Sequence, residues 1–400
     1  MEHVYNCMGH DLKIPNIVDS NGLYVIDDKG KRYADLEAGV WCMALGHKNE
    51  HINRVIAAQT NRLMHAGFCY SNEVLEQSAA TVLEVAEFAG KCVFLCSGSE
   101  AIEISRQIAR HLTGKALSMT LHDSYLGAYS SVTDRSRGWY LFNWEGCKTC
   151  RDRNICDAQC PSLKAVPQDI SDFVFEPGSS SGLVRFPPKS MIQNLVRRVS
   201  SRGGKVIANE VTTGTGRTGK WFGYQHYDIE PDMVAIGKGI GNGYPVSVAA
   251  IRDSIVAELK RKPFKYGQSH MNDPLGAAIV REVVQIITEY GLIAETERKG
   301  KILFDQLQSL ADPEIMPEVR GRGLMVAVDL INEQTAEKLH DELISRGYIV
   351  GNRKTAFRID PPLIIEDDDL KGFLDTFGKV LKTTHITRLM QPTSKSRTAD

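Results

Sequence analysis

The sequence has almost no net charge: 48 Lys and Arg stand against 49 Asp and Glu, leaving −1. No overall field recruits nucleic acid or an anionic lipid surface, so neither is expected as a partner. Missing too is any apolar run near the roughly 20 residues that span a bilayer. The opening "MEHVYNCMGHDLKIPNIV" lacks a basic segment followed by an apolar one, so no secretory signal is expected. The chain reads as cytoplasmic. Nine cysteines, an odd number spread over 400 residues, suit a reducing compartment better than a disulfide framework. At 42% hydrophobic and 24% charged residues, the composition is that of a globular protein with a large core.

A nucleotide-triphosphate loop is absent in all but letters. Gly214 to Lys220, in "KVIANEVTTGTGRTGKW", spells G-x-x-x-x-G-K after an apolar run. A working loop continues with Ser or Thr and opens a helix. Here Lys220 is followed by "WFGYQHY", bulky and aromatic, and "IGKGIGNGYP" has the wrong spacing for a dinucleotide fingerprint.

What is present is an alternation of short apolar runs with helical patterns. "LYVIDDKGKRYADLE" predicts a hairpin turning at Asp28-Lys29-Gly30. "KCVFLC", "KVIANEV" and "DMVAIG" predict strands, and "SGSEAIEISRQIARHL" and "MIQNLVRRVSSRGG" predict helices. This is the pattern of an α/β domain with a largely parallel sheet. From about Asp273 long helices take over, followed by "GLMVAVDL", a helix near 335–346, "TAFRID" and a last helix from about Asp367, a smaller α+β unit. The polar end "QPTSKSRTAD" predicts a disordered tail.

Two segments carry chemistry. In "FLCSGSEAIEISRQIAR", Ser97 and Glu100 form an S-x-x-E capping box after a strand. Gly98 lets a ligand approach the backbone, and a helix N-terminus favours an anion; an ordinary capped helix is the plainer reading. In "VAIGKGIGNGYPV", Lys238 leaves a strand amid Gly237, Gly239, Gly241 and Gly243. An exposed loop lysine is the plainer reading there. A lysine that forms a Schiff base with pyridoxal phosphate needs that room, together with a phosphate cradle.

These blocks, with "YADLEAGVWCMALGH", "VIANEVTTGTGRTGKWFGYQHYDIEPDMVAIGKGIGNGYPV", "VRGRGLMVAVDL" and "FRIDPPL" in order, resemble the class III aminotransferases, pyridoxal-phosphate enzymes of fold type I. The resemblance covers about 23–362. It implies a large, mainly parallel-sheet domain over 51–272 and a small α+β domain from 1–50 and 273–385, leaving 386–400 as tail. By resemblance, Lys238 holds the cofactor and shuttles the substrate proton; Gly98 and Ser99 bind its phosphate; Tyr125 stacks on its ring, with Val211 on the opposite face and Glu176 nearby. Ser269 stands where a threonine reaches the phosphate of the neighbouring subunit, which implies a homodimer. Arg358 matches the arginine that grips a substrate carboxylate, and Trp41 a pocket wall. The implied reaction is ping-pong transamination between an amino donor and a keto or aldehyde acceptor.

Four positions depart from the pattern. Asn209 replaces the aspartate that keeps the pyridine nitrogen protonated, Thr212 a glutamine, Ile102 an asparagine and Leu126 a histidine. An amide hydrogen-bonds but supplies no charge, which weakens the electron sink. A racemase, mutase, decarboxylase or lyase, a slow aminotransferase and a non-catalytic cofactor-binding protein therefore stay open.

The segment "GCKTCRDRNICDAQCP" places Cys147, Cys150, Cys156 and Cys160 at C-x2-C-x5-C-x3-C. Four thiolates within 14 residues are enough to enclose zinc or an iron–sulfur cluster; a metal-free cysteine-rich loop is the alternative. It reads as an insertion, 143–165, that the resemblance does not supply.

Overall fold

The computed structural model describes residues 3–7, 12–67, 69–150 and 155–390, without the side chains of 148 and 385–390. Its centre is a seven-stranded sheet. We number its strands in chain order: β1 (Gly90–Leu95), β2 (Leu117–Leu121), β3 (Trp139–Phe142), β4 (Ile170–Phe175), β5 (Lys205–Glu210), β6 (Met233–Ile236) and β7 (Ser247–Arg252). They lie in the order β1-β7-β6-β5-β4-β2-β3. Neighbours from β6 to β3 pair in parallel, while β7 runs antiparallel to both β1 and β6.

The near-continuous apolar character of these strands follows from burial on both faces. Along β4, Phe173 and Phe175 enter one core cluster and Val174 the other. In β6 Val234 and Ile236 face one way, Met233 and Ala235 the other. The helix Gly98–Thr113 lays Ala101, Ile104 and Ile108 on the second face. The helix Lys189–Ser200 buries Met191, Ile192 and Leu195 on the first.

Several strands were hidden from sequence patterning. In "LSMTL", β2, the apolar run is broken by Ser118 and Thr120, both buried. The Ser118 hydroxyl donates to Asp172 Oδ2 at 2.8 Å and Thr120 to the carbonyl of Val174 at 2.8 Å, so the polar positions are satisfied inside the sheet.

The two chain ends meet in a second sheet. Ile17–Asn21, Tyr24–Asp27 and Arg32–Asp35 form an antiparallel ladder, and Tyr348–Ile349 adds to it in parallel. The turn at Asp28-Lys29-Gly30 is there, with Gly30 at φ 80°, where glycine has no steric penalty. A third, antiparallel sheet joins Glu318–Arg322, Met325–Asp329, Ala356–Ile359 and Gly351–Arg353 in that order. The helix Pro274–Glu289 buries Leu275, Ile279, Val283 and Ile287 and packs against the helices Glu50–Thr60 and Glu73–Ala86. The last helix runs from Asp367 to Met390; the rest of the expected tail, 391–400, lies outside the described residues.

The stretch after β5 is a bracket between sheets, not a nucleotide cradle. Residues 211–220 form successive turns and lead into a short 3-10 segment, Gly223–Tyr227, with no helix after Lys220. Buried Glu210 pins this loop by accepting from the N–H groups of Gly223 and Tyr224, both at 2.7 Å, and from Thr213 Oγ1 at 2.8 Å. Arg217 donates to the carbonyls of Leu324, at 3.1 Å, and Pro361, tying the loop to the third sheet.

Candidate active site

At the C-terminal end of β1 the chain turns through Ser97 into the helix Gly98–Thr113. The expected capping box is formed: Ser97 Oγ accepts from Glu100 N at 3.3 Å, and Glu100 Oε2 accepts from Ser97 N at 3.1 Å. The following N–H groups have no acceptor within the helix, and the dipole makes this end positive. Glycine is required at 98, because a Cβ there would lie 2.6 Å from Val211 Cγ1 and Cγ2. Gly127, at φ 115°, lets its loop close on Ser99, whose hydroxyl accepts from Ala128 N at 3.1 Å.

A cavity of about 420 Å³ opens on this helix end. Gly98, Ser99, Tyr125, Asn209, Val211 and Lys238 all line it, so six of the expected cofactor residues meet in one space. The four departures, Ile102, Leu126, Asn209 and Thr212, are in its wall as well. Lys238 follows β6 with φ 49°, a left-handed conformation uncommon outside glycine and a form of strain that collects at functional sites. Its ammonium lies 4.6 Å from the Trp41 ring centroid. Burial lowers its pKa, and the nearby Cys42 and Glu176 only partly oppose this. A lysine poised closer to its neutral, nucleophilic form is the result.

Asn209, 4% exposed at the end of β5, spends both ends of its amide on backbone. Nδ2 donates to the Tyr125 carbonyl at 3.0 Å, and Oδ1 accepts from Val211 N at 3.3 Å. Glu176, at the end of β4, holds the other side of Tyr125, accepting from its N–H at 3.0 Å. Glu176 also accepts from Ser180 N at 3.1 Å and from the Ser180 hydroxyl. Burial pushes the Glu176 carboxyl up to about 7, against those hydrogen bonds. The Tyr125 backbone is thus clamped between an amide and a carboxyl while the residue as a whole stays 46% exposed in the single chain.

Trp41 and Arg358 sit beside this cavity, not in its lining. The Arg358 guanidinium lies 4.2 Å from the centroid of the Trp41 ring, which it shares with Lys238. Arg358 donates to Glu37 Oε1, an ion pair that sequence reading missed because Glu37 lies 321 positions away. Burial raises the Glu37 pKa while Arg358 opposes it. Asp360, fully buried and pushed up to about 7 by burial, completes the group, with Arg358 and Arg217 lowering it. Cys42, Ser180 and Tyr244 line or flank the cavity without any sequence signal of their own.

Ser269 stands apart. It is exposed in the turn after Gln268 and does not line the cavity of its own chain. The four cysteines are elsewhere, along the loop after β3, with Cys147, Cys156 and Cys160 packed on the core. Among the described residues, the trio of metal-ligating atoms within 4.8 Å of one another is His65, His270 and Asp273, which the sequence reading did not single out. Both imidazoles are hydrogen-bonded to the Asp273 carboxylate, His270 at 2.8 Å.

The sheet order, the lysine after β6 and the helix end facing it define a pyridoxal-phosphate transferase of fold type I. The solved structures agree: a transaminase from the marine bacterium Virgibacillus superposes with a TM-score of 0.85 at 23% identity, over 93% of this chain and 94% of that one. An aminotransferase from Vibrio fluvialis, solved in a PMP-bound form, gives 0.84 at 21% identity, over 93% of each. The profile "Aminotransferase class-III" matches residues 8–136 and 144–381. An acetylornithine aminotransferase of Methanopyrus kandleri is 29% identical over 382 residues, 92% of this chain and 94% of that protein. A leucine/methionine racemase of Thermococcus litoralis is 27% identical over 402 residues, 91% of this chain and 90% of that one. The chain belongs to the class-III aminotransferases, enzymes of pyridoxal-phosphate-dependent transamination of amino acids and amines. The cavity fits that cofactor at its lysine and phosphate ends, which Lys238 and the Gly98–Ser99 helix end line. At the ring-nitrogen end it offers an amide. No helix among the described residues is long and apolar enough to cross a membrane.

Proposed function

We propose that this chain transfers the amino group of a carboxylate-bearing amine or amino acid to a keto or aldehyde acceptor by a ping-pong route, as a cytoplasmic homodimer. The observation that carries this reading is the convergence of Lys238, the Gly98–Ser99 helix end and Asn209 on one cavity. Bound pyridoxal phosphate supplies the electron sink for the carbanion at the substrate α-carbon. Lys238 anchors the cofactor and moves the α-proton with its amine, whose lowered pKa suits it to accept one. Gly98 and Ser99 hold the phosphate, Tyr125 and Val211 enclose the ring, and Asn209 would offer the ring nitrogen only the second Nδ2 hydrogen not used on Tyr125, which supplies no charge. Glu176 keeps Tyr125 in place. Ser269 reaches the phosphate of the second subunit, consistent with its exposure in one chain. Arg358 receives the substrate carboxylate, which must compete with Glu37, and Trp41 walls the substrate side. On the same reading the four cysteines hold zinc or an iron–sulfur cluster.

A second reading, α-proton exchange without net amino transfer, draws on Asn209 and on the similarity to a racemase. One experiment separates them. Cofactor-loaded protein is incubated in D2O with a panel of amino acids and amines, with and without a keto-acid acceptor. Transamination gives a new keto product and aminated acceptor. Deuterium entering the α-position with no aminated acceptor overturns it in favour of racemisation or a related reaction.

A further inference from the structure

The substrate side of the cavity stands on an unusual piece of backbone. After the strand Arg32–Asp35, four consecutive residues adopt positive φ: Ala38 at 47°, Gly39 at 54°, Val40 at 57° and Trp41 at 66°. Gly39 and Val40 have ψ 44° and 54°, and the Trp41 N–H donates to the Glu37 carbonyl at 2.9 Å, closing one turn of left-handed helix. Residues other than glycine visit this conformation singly, because Cβ crowds the following carbonyl, and a β-branched residue such as Val40 suffers most. Only one of the four is glycine. Something must hold the turn against its own preference.

Asp35 is placed to do so. It is buried, and its carboxylate accepts from Glu37 N at 3.1 Å and from Gly39 N at 2.8 Å, the amides at the entrance of the turn and inside it. His47 Nε2 donates to the same carboxylate at 2.8 Å. Hydrogen bonds to an ionised carboxylate are roughly twice as strong as neutral ones. Beyond the turn the segment is tied to the lysine. Buried Asn242, just past the short segment Lys238–Gly241, accepts from Leu45 N at 2.8 Å and donates to the Gly46 carbonyl at 3.1 Å. The turn carries buried Trp41, whose ring centroid lies 4.6 Å from the Lys238 ammonium and 4.2 Å from the Arg358 guanidinium. One carboxylate, itself outside the cavity lining, therefore sets where the indole stands relative to the reacting amine.

We propose that Asp35 is a positioning residue for substrate selection: it holds the left-handed turn that seats Trp41 beside Lys238, and so limits the size of the substrate that the site admits. This rests on the reading of Trp41 as the wall of the substrate side.

The test uses the full-length, cofactor-loaded protein and two probes that attack bound pyridoxal phosphate, O-methylhydroxylamine and the bulkier O-benzylhydroxylamine. Each rate is read from the visible band, and no amino transfer is needed. Wild-type protein should favour the small probe. Asp35→Asn keeps the side chain's size but sets an N–H donor where an acceptor is needed. It should raise the relative rate of the bulky probe roughly tenfold, the discrimination that a single methylene makes in an apolar pocket. Adding Val40→Gly, at a position 47% exposed, removes the steric penalty of the turn and should return the ratio toward that of wild type. In cofactor-free protein, hydrogen exchange in a peptide covering 36–43 should quicken in Asp35→Asn. A merely structural Asp35 would change stability and both rates together, leaving the ratio fixed. An unchanged ratio, unchanged exchange, or a changed ratio that Val40→Gly does not restore overturns the proposal. Trp41→Ala keeps two failures apart. A ratio fixed in that variant as well means that Trp41 is not the wall, whereas a ratio that moves in Trp41→Ala but not in Asp35→Asn overturns the role of Asp35 alone. Should Asp35→Asn not fold, His47→Ala, which leaves the carboxylate but removes its imidazole partner, decides by the same ratio.

Discussion

Replacing Asn209 by Asp supplies the carboxylate that the resemblance implies at this position and should harm the empty protein while helping the loaded one. The amide nitrogen donates to the Tyr125 carbonyl at 3.0 Å, in a position 4% exposed. A carboxylate cannot donate, so the carbonyl loses its partner and faces a negative oxygen. An unpaired buried acceptor costs about 1–3 kcal/mol, and burial without a cation pushes the new carboxyl up. Cofactor-free Asn209→Asp should therefore unfold at lower urea concentration, with an unchanged slope, by a free energy of about 1–3 kcal/mol. With cofactor bound, the ring nitrogen becomes the carboxylate's partner. Much of the loss should return, and exchange of the α-proton of a bound amino acid should accelerate. Asn209→Ala is the control: it loses the same hydrogen bond but supplies no charge, so exchange should not speed up. Equal or greater stability of cofactor-free Asn209→Asp would refute the clamp on Tyr125. An unchanged exchange rate in the loaded variant would refute the weakened sink.

Further outcomes follow from the buried carboxyls and the ion pair. Glu176, Glu210 and Asp360 are each pushed up to about 7 by burial, from ordinary values of 4.5, 4.5 and 3.8. Between the ordinary values and about 7 the folded state holds more protons than the unfolded one, so stability should fall as pH rises, by up to about 1.4 kcal/mol per pH unit for each group. Denaturation midpoints at pH 5 and pH 8 check this; a midpoint higher at pH 8 contradicts it, and Glu210→Gln should flatten the slope. Glu37→Gln frees Arg358 from a charged competitor and should lower KM for carboxylate-bearing substrates roughly tenfold with kcat little changed, since a charged hydrogen bond contributes about 1.5–3 kcal/mol. An equal change for amines without a carboxylate would show that Arg358 is not their receiver. Lys238→Ala should leave no cofactor attached after borohydride treatment, read by intact mass; an adduct on the variant would move the anchor elsewhere.

Much of this was legible in the sequence because short-range signals survive folding. The capping box at Ser97 and Glu100, the hairpin turn at Gly30 and the strands before Ser97, Asn209 and Lys238 depend on local residue order. The central sheet's remaining strands were not legible where their polar residues find partners inside, as Ser118 and Thr120 do. The meaning of Asn209 was half legible. Its missing charge was apparent, but its donation to Tyr125, 84 positions away, arises only in the fold. The pairing of Arg358 with Glu37 was invisible for the same reason. It changes the expectation for Arg358 from a free receiver of carboxylates to one already occupied. Resemblance named Ser269 as well, but a single chain leaves it outside its own cavity.

The most direct test is the visible absorption spectrum of the pyridoxal-phosphate-loaded protein, recorded before and after a panel of amino donors and then after a keto acid. Transamination through Lys238 predicts that the yellow band bleaches with at least one donor and returns with the acceptor. A band that persists with every donor, or changes without returning when acceptor is added, would contradict amino transfer as this protein's reaction.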